Sequence, residues 1–188
     1  MKEVEILVEL KSSFEKAKEI LSKYDFIGIK KTLDVYFFDP KREGLKLSKE
    51  GKLWASCRIR NKNDVAYLTY KSDHYDGETW LYSDEFEVTI SDFETGIKIL
   101  EGLGLKELVR IDNSKYTYLV GDKYEIVLED VVGLGHFLEV EYLKTVNDDE
   151  VEIVKSNILK FIYELGLSVG DELNSGKPEL ILNKMKNE

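Results

Sequence analysis

The 188 residues carry a formal charge of −10 and are 43% hydrophobic and 34% charged, with two prolines and no biased tract. Such a chain can bury a core, and its excess of acid repels a nucleic-acid backbone or an anionic membrane while still allowing a small anion in a local basic pocket. The single cysteine, Cys57, excludes an internal disulfide, and neither a leader nor an apolar run of spanning length is visible, so one cytoplasmic domain over residues 1–188 is expected.

Residues 2–11 alternate, with Val4, Ile6, Val8 and Leu10 on one face and Glu3, Glu5, Leu7, Glu9 and Lys11 on the other. A strand with one charged side follows from that pattern. Ser12 or Ser13 then caps a helix whose apolar positions are Phe14, Ala17, Ile20, Leu21 and Tyr24. A strand over 26–39 opposes Thr32, Asp34 and Tyr36 to Leu33, Val35 and Phe37, and ends at Asp39-Pro40. Over 52–62, Ser56, Arg58, Arg60 and Lys62 share one face, while Leu53, Ala55, Cys57 and Ile59 share the other. The parity makes Cys57 a core residue and puts Lys62 at the strand's solvent end. After a turn at Asn61 to Asp64, the next strand sets Tyr67, Thr69 and Lys71 against Ala66, Leu68 and Tyr70. A strand over 79–90 then sets Glu85 and Glu87 against Phe86, Val88 and Ile90.

The chain then starts again. Residues 92–100, DFETGIKIL, echo residues 13–21, SFEKAKEIL, and each helix follows a Glu-x-Glu pair, Glu3/Glu5 or Glu85/Glu87. Two pseudo-repeated halves are the reading. The second half continues with a strand from Leu105 to Val120 carrying Arg110 and Lys115, then a glycine-hinged hairpin from Tyr124 to Tyr142. In that hairpin Glu125, Val127 and Glu129 share a face, as do Phe137, Glu139 and Glu141, so two strands can aim carboxylates at one point. A helix from Asp148 or Asp149 to Leu165, a loop over 167–176 and a short helix beginning near Pro178 complete the chain.

Strand after strand opposes an apolar face to one carrying both signs of charge. If the sheet closes with helices outside, the apolar face packs under the helices and the charged face lines a hydrated tunnel. Carboxylates are hard ligands for Mg²⁺ or Mn²⁺, and arginine and lysine neutralise phosphate oxygens, so the combination suits a polyanion bridged by divalent cations. Other chemistries have little support. There is no GxxxxGK[ST] loop, His74 and His136 lack zinc-like spacing, and a core Cys57 leaves no Cys/His nucleophile.

These motifs resemble the CYTH family, the triphosphate tunnel metalloenzymes that include class IV adenylyl cyclases and thiamine triphosphatases. The resemblance is carried by EVE at Glu3 to Glu5, Asp34 and Tyr36, RIR at Arg58 to Arg60, LTYK ending at Lys71, DEFEV from Asp84, and LEDVVGLGHFLEVE from Leu128 to Glu141. The last block looks most like the cyclase-type branch. The resemblance implies an α+β fold, an eight-stranded antiparallel β-barrel tunnel with the C-terminal helices of about 148–187 packed on it. It further implies a small organic or inorganic triphosphate held by Arg58, Arg60, Lys71 and Lys115, with Arg110 and Lys11 as further candidates. Mg²⁺ or Mn²⁺ would be held by Glu3, Glu5, Glu129, Glu139 and Glu141, with Glu85 and Glu87 as additional tunnel acids. No catalytic base is singled out, and the oligomeric state is open, a homodimer included.

Three positions depart from the family pattern. Leu7, Ser83 and Asn113 stand where basic residues are usual, and each lost charge-assisted contact is worth roughly 1.5–3 kcal/mol. The implied activities are therefore three: cyclisation of ATP, hydrolysis of thiamine triphosphate or inorganic triphosphate in the same tunnel, or triphosphate binding without turnover.

Overall fold

A computed structural model of the chain describes residues 2–49 and 51–187. Among the described residues there are ten strands, β1 (Lys2–Glu3), β2 (Glu5–Leu10), β3 (Asp25–Phe38), β4 (Ala55–Lys62), β5 (Val65–Asp76), β6 (Thr79–Ile90), β7 (Lys106–Val120), β8 (Tyr124–Val131), β9 (Gly135–Tyr142) and β10 (Val169–Glu172). Four α-helices accompany them: α1 (Phe14–Leu21), α2 (Phe93–Gly102), α3 (Val151–Glu164) and α4 (Lys177–Asn187). None of these helices is long and apolar enough to cross a membrane.

All ten strands join one antiparallel, curled sheet in the order β1-β6-β5-β4-β3-β7-β8-β9-β2-β10. The expected count of eight is exceeded for two reasons. The first strand is divided at Val4, so that Glu3 lies opposite Ser83 of β6 while Glu5 lies opposite Glu141 of β9. Residues 169–172, expected as loop, instead pair with β2, Val169 opposite Leu10. The curl therefore brings two distant strands, β6 and β9, to segments separated by Val4 alone.

Local chemistry accounts for the reversals. Asn63 and Asp64 hold φ of 49° and 66°, the double left-handed turn that matches strand twist, and they join Lys62 directly to Val65. At the β8–β9 reversal Gly133 holds φ of 75°, a conformation open to glycine at no steric cost. Ser13 and Asp92 cap α1 and α2 in the same way, each accepting from a backbone N–H three residues on.

The convex face of the sheet is apolar and lies under α1, α2 and α3. Val4, Ile6, Val8, Ile126, Leu138 and Val140 pack against Ala17 and Leu21 of α1 and Ile158 and Ile162 of α3. Val35, Phe37, Cys57 and Ile59 pack against Ile97 and Leu100 of α2. Burial pushes the Cys57 thiol up to about 11, consistent with a small core residue. The covering is incomplete on β6: Leu81 packs on the first cluster and Ile90 on the second, while Phe86 is 64% and Val88 57% exposed between them.

Candidate active site

On the concave face, residues from the strands and from the start of α4 line a cavity of about 270 Å³. Parity decides which side chains enter it. β4 sends in Ser56, Arg58, Arg60 and Lys62; β3 sends in Lys30, Thr32, Asp34 and Tyr36; β7 sends in Asn113, Lys115 and Thr117. Seven glutamates of the strands, Glu3, Glu5, Glu85, Glu87, Glu125, Glu139 and Glu141, and Glu179 of α4 share the space with these cations.

The two arginines are held in place by the chain itself. Arg60 donates from Nε and a terminal nitrogen to the two oxygens of Asp34, both at 2.7 Å, a two-pronged pair that fixes the guanidinium plane. Burial works against the Asp34 charge, yet the Arg60 guanidinium holds its carboxyl below the usual range. Arg58 donates to the Tyr36 hydroxyl at 3.2 Å and lies 3.6 Å from Glu85. Lys71 reaches across the curl to the first strands, 2.7 Å from Glu5 and 3.0 Å from Glu3. Burial disfavours its charge, but Glu5 and Glu3 raise its pKa well above the ordinary lysine value.

The remaining acids differ in what surrounds them. Glu129 is wholly buried and meets Lys115 and Lys177 at 2.8 Å each. Lys177 also meets Glu139 at 2.7 Å. Burial opposes ionisation of Glu139, and the Lys177 and Lys115 ammoniums overcome it, holding the carboxyl below the usual range. The other group is a row of direct cross-strand neighbours, Glu5 on β2, Glu141 on β9 and Glu125 on β8. Like charges directly opposite are destabilising. Burial, followed by the charges of Glu3 and Glu5, pushes Glu141 up to about 8.

Among the described residues no three acidic, histidine or cysteine side chains form a ready-made metal cage. The donor chemistry nevertheless fits a hard divalent cation. Aligned carboxylates supply the oxygens that Mg²⁺ or Mn²⁺ prefers, and a cation would offset the burial and the neighbouring charges that raise Glu141. The same space contains polar groups awaiting a partner: Thr32, Asn113 and Thr117 are at most 3% exposed, and each has a side-chain oxygen without a hydrogen bond.

The structure brings together most of the residues singled out by sequence and removes two. Arg58, Arg60, Lys71, Lys115, Glu3, Glu5, Glu85, Glu87, Glu139 and Glu141 all line the cavity. Arg110 does not: it differs in parity from Lys115, points to the convex side, and binds Glu107 at 2.8 Å with nearly half of its side chain exposed. Lys11 is exposed beyond the end of β2, so the alternation that carried it to the charged face no longer applies. Lys62 faces the cavity beside Lys30 rather than standing apart in solvent, and burial followed by the Lys30 charge lowers its pKa.

The three departures from the basic pattern also find places. Leu7 is buried with Tyr36, Ile111, Val131 and Phe137, and Leu180 and Ile181 of α4 pack on that cluster. Ser83 is buried between the Trp80 indole N–H and Asp73. Asn113 lies in the polar floor beside Thr32. Lys177, a cation without strand parity to reveal it, enters the site from a helix start.

Comparison with known proteins agrees with this geometry. The family model of the CYTH domain matches residues 1–176. A solved structure from Pyrococcus horikoshii superposes with a TM-score of 0.78 at 26% identity, covering 96% of this chain and 99% of its own. A candidate adenylate cyclase from Vibrio parahaemolyticus gives 0.74 at 16% identity, covering 96% and 97% of the two chains. A candidate adenylyl cyclase from Hippeastrum, described as having a dominant triphosphatase activity, gives 0.69 at 18% identity over 97% and 96%. The last two likenesses, at such identities, are likenesses of fold. No curated protein matches the sequence. A family model spanning nearly the whole chain, over a curled sheet with charged residues of both signs inside it, means that the protein belongs to the CYTH domain family.

Proposed function

We propose that residues 1–188 form one triphosphate-tunnel domain in which the first strand closes an eight-stranded barrel built from two related halves, and that the protein is a divalent-metal-dependent enzyme acting on an organic triphosphate. The reaction is of the class IV adenylyl cyclase type, ATP to cyclic AMP and pyrophosphate. The observation that carries this reading is the opposition, across one cavity, of Arg58, Arg60, Lys71 and Lys115 to the Glu5–Glu141–Glu125 row.

The arginines and lysines bind phosphate oxygens, and the fixed partners Asp34 and Tyr36 orient two of them before substrate arrives. Thr32, Asn113 and Thr117 offer neutral hydrogen bonds to the same chain of oxygens. Glu3, Glu5 and Glu141 would hold the divalent ion, which when bound supplies positive charge where the transferring phosphoryl group becomes more anionic. Whether the ribose 3′-hydroxyl or a retained water attacks decides between cyclase and hydrolase, and the fold likeness to the Hippeastrum protein supports hydrolysis of a triphosphate as the second reading.

Purified protein incubated with ATP, thiamine triphosphate or inorganic triphosphate and Mg²⁺ or Mn²⁺ tests this directly. Cyclic AMP with pyrophosphate is the expected product; orthophosphate instead establishes the hydrolase, and tight binding without product overturns both. In binding measurements with inorganic triphosphate, Arg58→Ala is expected to weaken affinity by about 10–100-fold, the value of one buried charge-assisted contact. Arg110→Ala, on the convex side, is expected to leave affinity unchanged, and equal losses would place the anion elsewhere.

A further inference from the structure

β6 is paired along the whole of one edge and only a short part of the other. β5 meets it from Thr79 to Ile90, whereas on the opposite side β1 meets it at Ser83 and Asp84 alone. Among the described residues no strand lies beside residues 86–90 on that side, and no backbone hydrogen bond from elsewhere replaces one. Residues 86–89 are all exposed, although alternation turns two of them to the convex face and two to the concave.

An unpaired strand edge is a template for another strand. Proteins blunt such edges with proline, lysine or a bulge, and residues 86–90 have none of these. Their one charge, Glu87, faces the cavity, and the register of β5 and β6 shifts only at His74/Tyr75, toward the other end of the pair. On the convex face the stretch carries Phe86 and Val88, with the exposed Tyr70 directly across from Phe86 on β5.

Face, length and charge together restrict what fits there. A second copy related by a two-fold axis perpendicular to the sheet runs antiparallel and keeps its convex face convex, so opposed residues must agree in parity. The free stretch is bounded by β1 on one side and by the end of β6 at Ile90 on the other. The register that uses all of it puts Val88 opposite its own copy, Phe86 opposite Ile90 on the convex face, and Glu87 opposite Thr89 on the concave face. Moving the axis to position 87 sets Glu87 against itself, and like charges directly opposite are destabilising. Moving it to position 89 leaves little more than half of the stretch overlapped. Length and charge therefore select one register. Glu87 already has such a neighbour within the chain, since Thr69, directly opposite on β5, donates to it at 2.9 Å.

We propose that the free edge of β6 is a dimer interface, at which a second copy of this chain adds its own β6 antiparallel, with Val88 on the two-fold axis. The contact makes the two curled sheets continuous and brings the partner's Thr89 beside Glu87, which lines the cavity. It is independent of the metal-dependent reading above, because neither metal nor substrate enters the pairing.

Sedimentation equilibrium of the purified protein, without ligand, is expected to give twice the mass of one chain. Val88→Lys sets two ammoniums on the axis and is expected to weaken association at least 10-fold; the exposed position leaves the core undisturbed. Oxidation reads the register. Opposed Cα atoms of an antiparallel pair lie about 4.5–5.5 Å apart, within the span of a disulfide. Val88→Cys is thus expected to cross-link to its copy, while Phe86→Cys, opposite Ile90, is not. The native protein, whose Cys57 is buried, is the control. A native monomer, a dimer that survives Val88→Lys, or cross-linking no greater in Val88→Cys than in Phe86→Cys would each overturn the inference.

Discussion

Glu129→Gln is expected to lower the unfolding free energy by about 3 kcal/mol, the largest loss of stability that a single polar substitution in this fold should produce. Glu129 is 0% exposed and receives Lys115 on one oxygen and Lys177 on the other, each at 2.8 Å. Replacing the carboxylate by an amide leaves two buried ammoniums with Glu139 as their remaining shared anion. Orphaning a buried charge costs about 3–5 kcal/mol, and the surviving contacts to Glu139 place this case at the lower end. Urea unfolding should show a lower midpoint at unchanged slope. Adding Lys115→Met in the same chain restores the balance of one anion to one cation and is expected to recover about half the loss. The exposed Lys18–Glu15 pair gives the contrast, since removing it should cost less than about 0.5 kcal/mol. A Glu129→Gln protein as stable as the native one would mean that the buried triad does not exist in solution.

The reason so much of the site was legible before any coordinates is that strand parity is a rule of the backbone. Once Arg58 and Arg60 are two apart on one strand, they must share a face, and the same holds for Glu139 and Glu141. Parity fails where it is not applied or where the strand ends. Arg110 and Lys115 are five residues apart and so lie on opposite faces of β7, a conflict visible in the numbering alone. Lys11 continues the alternation of β2 but lies beyond its last residue, Leu10.

Other features depend on contacts distant in sequence and leave no periodic trace. Nothing in residues 167–176 marks Val169–Glu172 as a strand, because its partner is β2 at the far end of the chain. Lys177 is one lysine among many until Glu179 ties its helix to Leu53. Leu7 shows the same dependence in reverse. Read as a missing cation, it suggests a weakened clamp; in place, it is part of the apolar seat that α4 packs on, and α4 in turn delivers a lysine.

Glu141→Gln is expected to make the metal-free protein more stable than the native chain at high pH and no different in acid. Burial, and then the charges of Glu3 and Glu5, push the native carboxyl from 4.5 up to about 8. Between those values the folded chain retains a proton that the unfolded chain has released, so native stability falls as pH rises through that window. Below pH 4.5 both states are protonated and the penalty vanishes; above 8 it is fully present. At about 1.4 kcal/mol per pKa unit the ceiling is about 5 kcal/mol, and screening through the open cavity brings the expected difference to about 2–3 kcal/mol. Thermal or urea unfolding of both proteins in chelator, from pH 4 to 9, measures it. The divergence should disappear from the native side when Mn²⁺ is added, because a bound cation stabilises the ionised carboxyl and drives off its proton. Proton release on Mn²⁺ binding near pH 7, present in the native protein and lost in Glu141→Gln, would tie the raised carboxyl to the ion. Parallel pH profiles for the two proteins would show that Glu141 is ionised without cost, and the aligned row of acids would then require no cation.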